Sequence, residues 1–245
     1  MFGFGIDRRS LTIVLLIFMG IQILSGGTQG ILATLFTLPG VLIAITFHEF
    51  AHAYVAVKLG DDTPKVQGRL NLNPISHIDP FGFMFLLLAG FGWGKPVEID
   101  PRNFDGKYSL SKAEALVAAA GPIMNFILAF ILLIIYHAMQ IAGTLDALTI
   151  TTQSVVFTII IYAVSINIGL GVFNLIPLPP LDGSKILLHF LPYNAKQWFY
   201  EKQNIFYMVF LLIWITGLSS VILGPIFGAV YTGMNWLVMQ ILSIF

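Results

Sequence analysis

The sequence has no cysteine and very little charge, since Asp, Glu, Lys and Arg make up only 10% of its 245 residues. The absence of cysteine excludes disulfide scaffolds, thiol catalysis and zinc sites built on thiolates. A soluble domain carries roughly 25% charged residues, so the low charge argues against a soluble protein. Twelve basic residues are balanced by twelve acidic ones. We therefore expect no nucleic-acid partner, because phosphate binding needs an excess of positive charge.

Apolar residues are abundant instead, at 57% of the chain, and the mean hydropathy is +0.88. A helix needs about 20 mostly apolar residues to cross the hydrocarbon core of a bilayer. The uncharged stretches predict an all-α polytopic membrane protein with about six transmembrane helices. These are predicted at 11–24, from 31 onward after a turn at 25–30, at 115–139, at 151–173, and as two helices within 203–245.

The distribution of basic residues predicts the orientation of these helices, because Lys and Arg collect in cytoplasmic loops. All twelve lie before the first span, between Lys58 and Lys112, or between Lys185 and Lys202. With six spans, the three clusters fall on one side of the bilayer. We expect a multi-pass protein of the plasma membrane, with both termini and the active-site opening in the cytoplasm and with the first span retained as an anchor.

The motif that indicates a chemistry is HEFAH at 48–52, at the end of the second predicted span. Histidines four residues apart share one face of a helix, so His48 and His52 can bind a single zinc ion, while Glu49 is placed to hold its water. The structural alternative is a pair of helix-end histidines with a glutamate reaching the interface. It is disfavoured because three ionisable groups in five residues of a membrane helix are costly unless they serve a site.

A third zinc ligand is expected where another span is interrupted on the same side of the membrane. Residues 174–183 (NLIPLPPLDG) contain three prolines that end the helix, and Asp182 follows them. Irregular backbone at membrane depth is tolerated where protein or a water-filled cavity surrounds it, so Asp182 is predicted to face inward. Two imidazoles and one carboxylate leave a fourth position open, as in catalytic zinc sites. The alternative is that Asp182 only caps the next helix.

These two motifs resemble those of the site-2 protease family of intramembrane zinc metalloproteases. The resemblance extends to GRLNLNPISHIDPFG at 68–82, GWGKPVEIDPRNF at 92–104 and AGPIMN at 120–125. It implies one zinc ion per chain, bound by His48, His52 and Asp182, with Glu49 as the catalytic acid and base. It also implies membrane-spanning proteins or peptides as substrates within the bilayer, and here a compact form without the PDZ or CBS domains of many relatives.

The family resemblance and the spans together predict one integral-membrane metalloprotease domain, 1–245. Its catalytic core is expected at about 31–190 and a C-terminal helical hairpin at about 203–245. Between the second and third spans, the uncharged stretch 81–94 is too short to cross and predicts a re-entrant or interfacial hairpin. The alternation in 95–100 (KPVEID) predicts a small strand. That strand either holds an unwound substrate by β-augmentation or only packs the loop onto the bilayer.

Two further predictions concern asparagines. Asn174 either steadies an oxyanion or orients the substrate, or it satisfies carbonyls freed by the prolines. Asn125 either borders the substrate cleft or makes a helix–helix hydrogen bond, and the second is slightly favoured. No catalytic role is predicted for the remaining histidines, which are His77, His137 and His189.

A different class of function remains open on the same residues, namely a divalent-metal transporter or a metal-binding membrane scaffold. Transporters commonly show repeated halves and ionisable residues reaching both faces of the membrane. In this sequence the polar cluster is one-sided and no internal repeat is evident, which favours the protease. Glu49 disfavours an inactive scaffold, which would most simply have lost it. No pattern predicts a particular substrate or oligomeric state.

Overall fold

The computed structural model describes residues 8–83, 93–146 and 148–244, with side chains described from residue 32 onward. In these ranges the chain is all α-helical. A 3₁₀ turn at Pro101–Asn103 and a helical turn at 80–83 add to the α-helices. The α-helices are α1 (Arg8–Lys58), α2 (Thr63–Val66), α3 (Pro74–His77), α4 (Leu110–Ile141), α5 (Ile150–Asn174), α6 (Asp182–Phe190), α7 (Tyr193–Glu201), α8 (Gln203–Ile215) and α9 (Leu218–Leu242).

Four helices in the described part of the chain are long and apolar enough to cross a membrane: α1 from Leu32 onward, α4, α5 and α9. The sequence predicts about six. The first predicted span, 11–24, lies where only the backbone of α1 is described, and α8 has 13 residues. A helix of that length is about 20 Å long, less than the roughly 30 Å hydrocarbon core. The structure thus supports an integral membrane protein with at least these four apolar helices.

The turn predicted at 25–30 is absent, because α1 runs without interruption from Arg8 to Lys58. The run SGGTQG contains no proline. Glycine costs about 1 kcal/mol in a helix interior but leaves the backbone hydrogen bonds intact, so a stretch of this kind need not end a helix. The run SGGTQG therefore lowers the stability of the helix locally but does not end it.

The strand predicted at 95–100 is also wrong. In the ranges that the structure describes, the sole β contact is an isolated antiparallel bridge between Ile78 and Gly94. Within 95–100 the N–H of Lys95 donates to the backbone carbonyl of His77 (2.8 Å), but the N–H of Val97 donates to the Glu49 side chain (2.9 Å) and that of Asp100 to the Asp61 side chain (2.8 Å). A segment whose backbone groups are satisfied in this way needs no partner strand. Residues 84–92 of the predicted re-entrant hairpin lie outside the described residues.

Helices α1, α4 and α5 pack together, and α6 packs on α4. Small residues bring α1 and α5 close: a Cβ on Gly40 would lie 2.6 Å from the Cα of Ala163. Such approaches are typical of helices in membranes, where close packing replaces the hydrophobic effect as the force between helices. The last part of α1 also packs against the first half of α4, where His52 contacts Val117 and His48 contacts Asn125.

The proline-rich segment after α5 folds back sharply before α6 begins at Asp182. A Cβ on Gly183 would lie 2.3 Å from the carbonyl oxygen of Leu175, so only glycine permits this approach. The reversal brings the first residue of α6 to the end of α1. The tertiary fold thus delivers an acidic side chain from 174–183 to the HEFAH motif.

Candidate metal centre

The two histidines of the HEFAH motif lie on one face of α1, one turn apart. The Nε2 atoms of His48 and His52 are 3.0 Å apart, and each residue is 6% exposed. Two imidazole nitrogens this close, both turned into the protein, present their lone pairs to the same point. The spacing of four residues predicts this geometry, since such side chains are neighbours on a helix.

Asp182 completes the cluster. Its Oδ2 lies 3.2 Å from His48 Nε2 and 3.3 Å from His52 Nε2, and this buried oxygen has no conventional hydrogen-bond partner. Of the His, Cys, Asp and Glu side chains that the structure describes, these three form the one group placed to hold a metal ion. A buried carboxylate oxygen without a donor is costly unless a cation satisfies it. The orphaned oxygen therefore indicates a metal ion.

The dimensions of this triangle fit zinc. Zinc binds nitrogen and carboxylate oxygen at about 2.0–2.1 Å, and tetrahedral geometry then separates any two ligand atoms by about 3.3–3.4 Å. The three observed separations are 3.0, 3.2 and 3.3 Å. Three ligands occupy three vertices of a tetrahedron and leave the fourth free. A donor set of two imidazoles and a carboxylate is also the set found in catalytic zinc sites.

The outer nitrogens of both imidazoles are held by acceptors. His48 Nδ1 lies 2.7 Å from the side-chain oxygen of Asn125, and His52 Nδ1 lies 2.7 Å from the backbone carbonyl of Val117. Both acceptors are on α4. An Nδ1–H that donates to an oxygen leaves the lone pair on Nε2, which is the tautomer that binds a metal from this side.

Gly121 of α4 leaves the space in front of the two imidazoles open. A Cβ at this position would lie 2.5 Å from His52 Nε2 and 2.7 Å from His48 Nε2. Even the smallest side chain would therefore press on both metal-binding nitrogens. The motif AGPIMN thus contributes twice to the centre, through the missing side chain of Gly121 and through Asn125 one turn later.

Glu49 faces the extended segment that follows Gly94. Its Oε2 accepts the backbone N–H of Val97 at 2.9 Å, which leaves Oε1 without that constraint. The guanidinium of Arg69 donates to the backbone carbonyl of Lys95 in the same segment. The acidic residue of the motif is therefore oriented by one backbone hydrogen bond at the edge of the site.

The other histidines lie apart from the cluster. Burial lowers the pKa of His77, whose Nε2 lies 2.7 Å from the carbonyl of Asn71. His137 contacts Asn235 of α9 at 2.7 Å. His189 follows on α6 and is not one of the three clustered residues.

Of the two asparagines singled out by sequence, Asn174 donates to the carbonyl of Leu170 in its own helix, at 3.0 Å. Asn125 is fully buried behind His48. Asn167, which sequence reasoning missed, is also fully buried and accepts a hydrogen bond from Asn125 at 3.0 Å. The available signal was an amide in the middle of an apolar span, since such groups are usually paired between helices.

Comparison with known families decides among the function classes open to this cluster. Peptidase family M50 matches residues 36–217, well over half of the chain, including all three clustered residues. The chain belongs to peptidase family M50. The resemblance to the site-2 proteases is thereby confirmed, and with the His-His-Asp cluster it makes this chain a zinc metalloprotease of that family.

Individual members of the family agree with this assignment. The chain is 43% identical to "Putative zinc metalloprotease YwhC" of Bacillus subtilis (strain 168) over 194 residues, which are 77% of this chain and 84% of that one. It is 30% identical to "Putative zinc metalloprotease Rip2" of Mycobacterium tuberculosis (strain H37Rv), over 79% of this chain and 71% of that one. It is 27% identical to "Putative zinc metalloprotease MJ0611" of Methanocaldococcus jannaschii, over 75% and 84% respectively. No solved structure matches the chain.

Proposed function

We propose that this M50 protein is an intramembrane protease that hydrolyses peptide bonds within or near the transmembrane segments of other membrane proteins, as in regulated intramembrane proteolysis. The observation that carries the proposal is the position of the His-His-Asp cluster. Two of its three members lie in the apolar part of α1 that is long enough to cross a membrane. A hydrolytic site at that depth meets the membrane-embedded parts of a substrate.

Each residue of the motif has a role in this proposal. His48, His52 and Asp182 would hold one zinc ion, which would supply an acidified water and polarise the scissile carbonyl. Glu49 accepts a proton from the attacking water on its carboxylate and returns it to the leaving amine. The N–H of Val97 holds Oε2 of Glu49, so Oε1 is the oxygen available for proton transfer.

Asn125 and Asn174 have less direct support as substrate-binding or oxyanion-stabilising residues. Both Asn125 side-chain groups are engaged inside the protein, with His48 on one end and Asn167 on the other. Asn174 donates to its own helix, which favours its structural alternative. Asn125 has no donor left for a substrate carbonyl, because both of its amide hydrogens are used, and oxyanion stabilisation needs a donor.

The membrane topology is part of the same proposal. We place the site opening in the cytoplasm because ten of the twelve basic residues lie in the two polar segments 58–112 and 185–202. The chain then forms one protease domain, 1–245, with 203–245 as its C-terminal hairpin. The predicted cytoplasmic N-terminus requires a turn at 25–30, and an unbroken α1 that crosses the membrane once would place Arg8 on the side opposite to Lys58. Cysteine accessibility at Gln67 and at Thr144 would test this placement of the site opening: reagents outside the cell should label only Thr144→Cys.

The decisive experiment measures zinc content and cleavage of a single-span reporter by the purified protein. Glu49→Gln should keep about one zinc per chain and lose cleavage by on the order of 10²-fold or more, because the proton acceptor is gone while the ligands remain. Asp182→Ala should lose zinc as well as cleavage. Glu201→Gln, an exposed glutamate at the end of α7, is the matched control and should behave as wild type. Cleavage that survives Glu49→Gln would disprove the mechanism.

A further inference from the structure

Two buried asparagines connect the metal centre to α5. Asn125 of α4 and Asn167 of α5 are both 0% exposed, and each makes hydrogen bonds to a neighbouring helix or along its own helix. Buried carboxamides in apolar helices are costly unless every donor and acceptor is used. The hydrogen-bond partners of Asn125 and Asn167 therefore indicate the role of these two side chains.

The direction of the hydrogen bonds can be worked out from the backbone. A backbone carbonyl can only accept, and Asn167 contacts the carbonyl of Ala163 at 2.8 Å. The amide nitrogen of Asn167 must therefore face Ala163, so its oxygen faces Asn125. Asn125 in turn places its amide nitrogen between that oxygen (3.0 Å) and the carbonyl of Ala44 (3.1 Å). Both acceptors require the nitrogen at this end.

The same reasoning reaches the metal ligand. Because the amide nitrogen of Asn125 is committed, its oxygen faces Nδ1 of His48 at 2.7 Å. An oxygen acceptor requires a proton on Nδ1, and a neutral imidazole with Nδ1–H carries its lone pair on Nε2. Nε2 is the atom that points at His52 and Asp182. The carbonyls of Ala163 and Ala44 thus select the tautomer of His48 through two side chains.

We infer that Asn125 and Asn167 form an amide relay that fixes the tautomer and ring orientation of His48 for zinc binding, which makes both asparagines positioning residues of the proposed protease. Their effect on zinc binding is separable from proteolysis, although the importance of the relay for catalysis rests on the proposed function. His52 has no comparable relay, because its Nδ1 donates directly to the backbone of Val117. The relay therefore acts on one ligand of the two.

The experiment titrates zinc into the metal-free, detergent-purified protein against a competing chelator, and records the visible spectrum after Co²⁺ replacement. Asn125→Leu removes the acceptor for His48 with little change of volume, and should weaken zinc binding by roughly 10- to 100-fold, as is usual for groups that orient a ligand histidine. Asn125→Asp keeps an acceptor for Nδ1–H, and in its neutral acid form it can donate to one of the two oxygens that the amide nitrogen served. It should therefore weaken zinc binding less than Asn125→Leu does.

Asn167 tests the far end of the relay. Asn167→Asp, as the neutral acid expected at a fully buried position, keeps both the oxygen that Asn125 needs and a donor for the carbonyl of Ala163. Asn167→Leu removes both and lets the Asn125 amide rotate. We expect the leucine variant to weaken zinc binding and broaden the cobalt spectrum, by less than Asn125→Leu does, and the aspartate variant to do neither. This pair keeps the test available if Asn125→Leu does not fold.

A matched control exists elsewhere in the chain, since Asn235 of α9 accepts from His137 at 2.7 Å in a similar side-chain pair. Asn235→Leu removes a histidine–asparagine contact between helices without touching the metal centre, and should leave zinc affinity unchanged. Wild-type zinc affinity and cobalt spectrum in Asn125→Leu would overturn the relay. Equal losses in Asn125→Leu and Asn125→Asp would also overturn it, because both would then report packing alone.

Failure of the relay and failure of the proposed function give different results. If the relay is correct and the protease proposal is wrong, the leucine variants lose zinc affinity while the wild-type protein binds zinc and cuts no membrane substrate. If the protease proposal is correct and the relay is wrong, the wild type cuts its reporter and the leucine variants bind zinc as tightly as the wild type.

Discussion

The bundle of α1, α4 and α5 and the C-terminal helices α8 and α9 are both apolar, yet they are built differently. The bundle buries polar side chains at its centre, among them Thr46, His48, His52, Asn125 and Asn167. Among its 25 residues, α9 buries only the side chain of Val238, and α8 buries Phe210. In a bilayer, apolar side chains gain little free energy by moving from lipid into the protein, so apolar surface alone does not select one helix packing. Buried polar groups need hydrogen-bond partners, so they mark the region where one particular packing is required.

Glycine has a different structural role in the bundle and in α9. In the bundle a Cβ on Gly40, Gly121 or Gly171 would come within 2.5–2.8 Å of a neighbour. In α9 the space around Gly224 and Gly228 is open, with nothing within 4 Å of such a Cβ. These three glycines of the bundle therefore set distances between helices and around the site, whereas Gly224 and Gly228 of α9 face open space. The comparison can be tested with the same chemical change in both regions.

The largest effect is expected for Gly121→Ala. The added methyl would lie 2.5 Å from His52 Nε2 and 2.7 Å from His48 Nε2, so the two imidazoles must shift away from α4. We expect zinc affinity and proteolysis to fall by on the order of 100-fold or more, because ligand geometry is lost directly. Gly228→Ala adds the same methyl to α9 and should change neither quantity. Equal zinc binding in the two alanine variants would remove the distinction between the regions.

A smaller effect is expected at Asp61, beyond the end of α1. This buried carboxylate accepts hydrogen bonds from Thr63 (3.0 and 2.5 Å), Asp100 (2.8 Å) and Asn103 (3.0 Å). Burial acts to raise its pKa, but these hydrogen bonds outweigh burial and hold the pKa of Asp61 below its usual value. Asp61→Asn places an amide N–H against other donors and should lower the free energy of unfolding by about 1–3 kcal/mol.

The depressed pKa also sets the pH dependence. A carboxylate whose pKa is lower in the folded state stabilises the folded protein fully at a pH above its unfolded-state pKa of about 3.9. This stabilisation is lost as the pH falls through the folded-state pKa. Thermal unfolding in detergent from pH 6 to pH 3 should therefore show wild type approaching Asp61→Asn in acid. Asp62→Asn, at an exposed neighbour, is the control. A constant difference between wild type and Asp61→Asn across this range would contradict the assignment.

The smallest effect is expected for Asn235→Leu, which removes the contact of α9 with His137 of α4. Hydrogen bonds between membrane helices contribute about 0.6 kcal/mol on average. A double-mutant cycle with His137→Phe should give a coupling of that size, measured by reversible unfolding in detergent. A coupling of several kcal/mol would show that α9 is held to the bundle as firmly as the bundle helices are held to each other.

Several features could be predicted from the sequence because they depend on residues near each other in the chain. The adjacency of His48 and His52 follows from helical geometry alone, and the apolar stretches within α4 and α5 follow from their length. The alternation of side chains in 95–100 led to a wrong strand prediction. Such an alternation does not require a partner strand, and here backbone groups bond to side chains such as Glu49. The turn predicted at 25–30 failed because glycine weakens a helix without ending it.

The sequence by itself determined a membrane protein of peptidase family M50 with two histidines and a glutamate on one helix. The tertiary structure decided which distant groups complete the centre. Asp182 reaches His48 only because the chain reverses after α5, and Asn125 and Asn167 meet across 42 residues of sequence. Gly121 matters only because α4 passes in front of the imidazoles. The periodicity of a helix determines which side chains lie on the same side of it. The packing of the helices determines which distant groups those side chains contact.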